Sequence, residues 1–127
     1  MKREDFNTPE WEKFKDELRS ILRKTAERRG LISYPELAKL VTAVSLHVEN
    51  PDELFVLAGA LAEISERENK AGRGIISAIV VRRPGDELPA QEFFALAQSL
   101  GKRYRDKTIF WVEACRKVHD SWAEKKR

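Results

Sequence analysis

The chain is poor in the residues that most often carry chemistry, with one cysteine, two histidines and one methionine among 127 residues. A single cysteine, Cys115, excludes an intrachain disulfide and any zinc cluster built from cysteines of this chain alone. His47 falls in a polar break. His119 stands four positions after Cys115, where two side chains share a helix face, but one such pair falls short of the three or four ligands that zinc takes. No apolar run approaches the roughly 18 residues that span a bilayer, and Met1-Lys2-Arg3-Glu4-Asp5 leads into no signal-like apolar segment. The expectation is a cytoplasmic protein with no membrane partner. Internal repeats and low-complexity stretches are also missing. No Ser/His/Asp order can be assembled, and Gly72-x-Gly74 precedes a predicted strand rather than the helix a phosphate loop requires. No enzyme activity, metal or cofactor is therefore expected.

Charge is what the chain has in abundance. Asp, Glu, Lys and Arg make up 35% of the residues, with a formal net charge of +3. That excess is too small to demand a polyanion by itself, but its distribution is uneven. Residues 1–30 hold 9 basic and 7 acidic groups, residues 31–81 hold 4 and 7, and residues 82–127 hold 11 and 7. The middle is acidic and the last third is basic.

Periodicity predicts five helices. Thr8-Pro9-Glu10 is a start signal, and Trp11, Phe14, Leu18, Ile21, Leu22 and Thr25 follow at helical spacing until Gly30, with Lys15 and Arg19 assigned to a solvated opposite face. Leu31-Ile32 is read as a very short strand. Ser33 and Glu36 have capping-box spacing, opening a second helix through Leu37, Leu40, Val41 and Val44. Asn50-Pro51-Asp52-Glu53 opens a third, through Leu54, Leu57, Leu61 and Ile64 to about Ala71 and Gly72. Ala58, Gly59, Ala60 and Ala62 make that helix narrow, which reads as room for close packing. Glu63 with Arg67, and Glu66 with Lys70, have the spacing of ion pairs along its solvated face. Pro89 begins a fourth helix through Phe93, Phe94 and Leu100 to Gly101. A fifth carries Phe110, Trp111, Ala114, Cys115, Val118 and Trp122, with Cys115 assigned to the core.

Between the third and fourth helices lies Gly74-Ile75-Ile76-Ser77-Ala78-Ile79-Val80-Val81, an apolar run that reads as a strand buried on both faces and ends in Arg82-Arg83-Pro84-Gly85. The expected fold class is mostly α, of α+β type. One domain spans residues 1–127, comprising an N-terminal helix (8–30), a central unit (31–87) and C-terminal helices (88–127). From Gly30 to Glu87 the order is short strand, helix, turn, helix, strand and turn, that of a winged helix-turn-helix unit. Leu31-Ile32 would then pair antiparallel with part of Ile75–Val81 in a small two-stranded hairpin, and residues 82–87 would form the wing or its root.

Gly30-Leu31-Ile32-Ser33-Tyr34-Pro35-Glu36-Leu37-Ala38, Leu61 to Glu68, Ser77 to Val81, Phe93-Phe94 and Phe110-Trp111 through Trp122 resemble a family of small prokaryotic proteins to which no activity is attached. The middle portion resembles, more weakly, the winged-helix half of alkyltransferase-like DNA-repair proteins. Ser77-Ala78-Ile79 stands where those proteins carry a Pro-Cys-His-Arg or Pro-Trp-His-Arg segment, so the resemblance implies a layout and not alkyl transfer.

Two readings of function follow. In the first, the protein is a non-enzymatic nucleic-acid-binding, winged-helix-like protein. Arg82 and Arg83 of the wing, with Lys102, Arg103, Arg105 and Lys107 of the linker, would contact DNA or RNA phosphates, and Tyr104 would stack on a base or sugar. The third helix would not read bases, because its expected outer stripe of Asp52, Val56, Gly59, Glu63 and Glu66 is acidic. In the second, the acidic, small-residue third helix and the aromatic-rich ends serve a protein partner or a homodimer.

Overall fold

The structure, a computed structural model, describes residues 2–83, 89 and 91–123. Its main elements are α1 (Thr8–Glu27), β1 (Ile32–Ser33), α2 (Tyr34–Leu40), α3 (Pro51–Lys70), β2 (Val80–Val81), α4 (Gln91–Ser99) and α5 (Lys107–Trp122). The fold is a mostly helical α+β fold, with five α-helices and one small two-stranded sheet among the described residues.

Local chemistry accounts for the helix starts. Asn7, one residue before the expected Thr8, caps α1 by accepting from the Glu10 N–H at 2.8 Å, while Glu10 accepts from the Asn7 N–H. Ser33 and Glu36 form the expected box on α2. Asn50 accepts from the N–H groups of Asp52 and Glu53 to open α3. Each such cap contributes about 1 kcal/mol by pairing donors that a helix start leaves orphaned. At the other end of α1, Arg29 rather than Gly30 adopts the left-handed conformation, at φ 54°. α2 stops at Leu40, short of the expected Val44, and Glu17 holds the chain that follows by accepting from the Thr42 and Ala43 N–H groups.

One core joins the elements. Phe14, Leu18 and Leu22 on α1, Leu37 on α2, Leu57 and Ile64 on α3 and Val118 on α5 are buried within it, together with Ile76 and Ile79. Full burial of one such side chain contributes about 1.5–3 kcal/mol, so the apolar stripes read from the sequence suffice to fix the assembly.

The central apolar run differs from its expected form. Ile76–Ile79 makes a turn of 3-10 helix, and only Val80–Val81 is strand. A buried apolar run has no period that separates strand from helical turn, and here every residue from Gly74 to Val81 is buried. The pairing also differs. Ile32 lies beside Val80 and Ser33 beside Val81 in a parallel arrangement, so the two strands do not form the expected antiparallel hairpin. A parallel pair needs a long crossover, and α2, α3 and the loop between them supply one. Val81 also makes an isolated antiparallel bridge with Pro89. The expected Pro84-Gly85 turn lies outside the described residues, and helix four begins at Gln91 rather than Pro89.

Candidate nucleic-acid interface

The linker between α4 and α5 is built from two helix ends set back to back. Gly101, at φ 82°, reverses the chain after α4, and the Lys102 N–H donates to the Ala97 carbonyl at 3.0 Å. A residue with a Cβ would strain this left-handed position. Asp106 then caps α5, accepting from the Ile109 N–H at 2.9 Å. Lys102, Arg103, Tyr104 and Arg105 are thus held between two fixed points.

Tyr104 turns inward from this loop. Its ring stacks on Phe110 with centroids 4.6 Å apart and leans on Phe94 at 5.9 Å, while its hydroxyl accepts from Gln98 Nε2 at 3.3 Å. One ring face is therefore already covered, and the residue anchors the loop. Lys102, Arg103, Arg105 and Lys107 are all exposed. Lys107 Nζ lies 5.1 Å from the centroid of Phe94. Among the described residues, no ion pair engages Lys102, Arg103, Arg105 or Lys107. Lys102 also borders a cleft of about 460 Å³ between the end of α3 and α5, opposite Lys117 and Glu113.

Arg82 and Arg83 are exposed directly after β2. The structure brings Tyr104 and Lys107 together on one aromatic cluster, whereas Arg82 and Arg83 follow directly on β2.

The residues with the most reactive side chains have structural partners. Cys115 Sγ donates to the Ala78 carbonyl at 3.3 Å, which also accepts from Trp111 Nε1 at 2.7 Å, and burial pushes the thiol up to about 12. His119 Nε2 donates to the Gly30 carbonyl at 2.9 Å. Both side chains tie α5 to backbone outside that helix.

Some charged residues assigned from sequence to solvated faces instead join helices. Lys15 is 5% exposed and pairs with Glu12 and Glu63, while Trp11 Nε1 donates to Glu63 at 3.0 Å. Glu68 is fully buried between Arg19 and Arg73, with Trp122 beneath both guanidinium groups at 5.3 and 5.1 Å. The expected Glu63–Arg67 pair is therefore replaced by partners on α1, because α1 and α3 pack side by side and bring Lys15 within reach. Val56, expected on the outer stripe of α3, is buried, while Phe55 is 75% exposed. Asp52, Glu63 and Glu66 are exposed as expected, so only Val56 leaves that stripe and Phe55 joins it. Nor does Gly59 serve close packing, since a Cβ there would meet nothing within 4 Å. A groove lies over this small-residue stripe, between α3 and α4. Its sequence signal was the stripe itself, which fits an open groove as well as a packed helix.

No protein-family model matches the chain, and no curated protein or solved structure is significantly similar to it.

Proposed function

We propose that the protein is a non-enzymatic nucleic-acid-binding protein whose Lys102–Lys107 loop contacts phosphates. The observation that carries this reading is four exposed cations within six residues, without ion pairs among the described residues, on a loop fixed by Gly101, Tyr104 and Asp106. Cations presented on a pre-ordered loop give up little conformational freedom on meeting a phosphate backbone, and displaced counterions supply the driving force. Arg82 and Arg83 add a second contact zone in the manner of a wing. The order β1, α2, α3 and β2 supports a winged-helix-like reading, although the parallel sheet departs from the usual hairpin. In this reading α3 reads no bases, because it presents Asp52, Phe55 and Glu66 outward. Tyr104 acts by holding the loop, not by stacking on a base. Engagement of Cys115 and His119 in backbone ties favours binding over catalysis.

The test is fluorescence anisotropy with labelled double-stranded DNA, single-stranded DNA and RNA at two salt concentrations. Salt-sensitive binding to at least one, weakened by alanine at Lys102, Arg103, Arg105 and Lys107, is the expected outcome. Absence of binding to all three rejects the reading.

A second reading, a protein partner or homodimer, is favoured by exposed apolar side chains. Phe55 on α3 and Ile109 and Val112, one turn apart on α5, are 75%, 60% and 43% exposed. Light scattering that shows a dimer disrupted by Ile109→Glu would favour it.

A further inference from the structure

The groove between α3 and α4 has a chemistry opposite to that of the basic loop. Its volume of about 470 Å³ falls within the range of small-ligand sites. Tyr34, Phe55 and Phe93 line it, with Glu66 from α3 and Glu92 from α4, and no lysine or arginine is among its lining residues. Ser77 lines it as well. That side chain is 7% exposed, and its hydroxyl has no hydrogen-bond partner. Native proteins leave few buried hydroxyls unpaired, so a polar group is missing its counterpart here. Burial, helped by the charge of Glu92, pushes the Tyr34 phenol well above its ordinary range and keeps it neutral.

These features select a ligand class. Two carboxylates, with no lysine or arginine among the described residues that line the groove, disfavour an anion, and the faces of aromatic rings attract positive charge. A bare divalent metal prefers several oxygen ligands to aromatic walls. An organic cation fits each part, with its charged head between the carboxylates and rings and its carbon stem along Ala58, Ala62 and Leu96. We propose that this groove binds an organic ammonium ion with an apolar stem, the chemistry shared by a free polyamine and a lysine side chain. The inference is independent of nucleic-acid binding, because none of the loop cations lines the groove.

The test is isothermal titration calorimetry with spermidine, with N-acetyl-lysine methylamide and with hexanoate as an anion of similar stem. Saturable binding of either cation, and none of hexanoate, is expected. Tighter binding of spermidine identifies a free amine as the ligand, and tighter binding of the lysine derivative identifies a protein side chain. Glu66→Gln combined with Glu92→Gln, both at exposed positions, should weaken binding by about tenfold or more. Gly59→Leu should abolish it while preserving the thermal melt, because the new side chain projects into open space. Alanine substitutions in the basic loop should leave amine binding unchanged. Equal binding of hexanoate, no saturable binding of either cation, or cation binding that survives Gly59→Leu in the folded protein overturns the proposal.

Discussion

The α1–α3 seam and the Lys102–Lys107 loop hold charge in contrasting ways. In the seam, Glu68 is fully buried and shared by Arg19 and Arg73, and Lys15 reaches Glu12 and Glu63. The Lys15–Glu63 and Arg19–Glu68 pairs join groups 48 and 49 residues apart and fasten α1 to α3. Burial alone would raise the Glu68 carboxyl, but hydrogen bonds from Arg73 and Arg19 outweigh it and hold the group below its ordinary value. In the loop, the cations are exposed and form no ion pair among the described residues, while an aromatic side chain does the fastening. A charge that secures the fold is neutralised internally, whereas one held outward by other means is available to a ligand. That difference, and not the net charge of +3, favours a polyanion partner.

The contrast can be broken most severely in the seam. Replacing both Arg19 and Arg73 by alanine leaves the Glu68 carboxylate buried without compensation and should cost about 3 kcal/mol, read as a lower urea midpoint. The pH profile should show the same dependence. Glu63 and Glu68 are both lowered from 4.5 in the folded state, so their contribution is complete above that value and is lost as pH falls through the folded values. Urea midpoints should therefore drop between pH 7 and pH 3, with a shallower drop in Glu68→Gln. An unchanged slope in that variant would show that the pair is not the source.

Next in size is the loop anchor. Tyr104→Ala removes the stack on Phe110 and should cost about 2 kcal/mol, while also weakening nucleic-acid binding without altering charge. Retained affinity would show that loop order is irrelevant to binding. Gly74→Ala should cost about 1–2 kcal/mol because it places a side chain in left-handed backbone. Its φ is 89°, and the new Cβ would meet Lys117 Cγ at 2.8 Å. A neutral thermal melt would contradict this. Smallest is the effect on stability of alanine at Lys102, Arg103, Arg105 and Lys107 together, which should stay within about 0.5 kcal/mol. A larger loss would mean that these cations, like those of the seam, support the fold.

Much of this contrast is not legible in the chain. Caps and apolar spacing are, so Ser33 with Glu36, Asn50 before α3 and the stripe from Trp11 to Thr25 correspond to observed structure. The polar, basic character of the linker is likewise plain from composition. Tertiary partners are not readable in this way. Lys15 and Glu63 lie too far apart in sequence for local spacing to pair them, so a solvated face is the natural reading of Lys15. The run from Gly74 to Val81 shows no period because all of it is buried, which conceals both the 3-10 turn and the direction of pairing. Tyr104 carries no sign of which way it faces, since that depends on Phe94 and Phe110 meeting after the chain reverses at Gly101.

Whether the loop cations are held for a polyanion is tested most directly by the salt dependence of binding to one labelled nucleic acid. The native chain is compared with the variant carrying alanine at Lys102, Arg103, Arg105 and Lys107. If each of the four cations meets a phosphate, removing them should make the slope of log affinity against log salt on duplex DNA shallower by about 3 to 4. An identical slope and affinity in the two proteins, or no binding by the native chain, would contradict it.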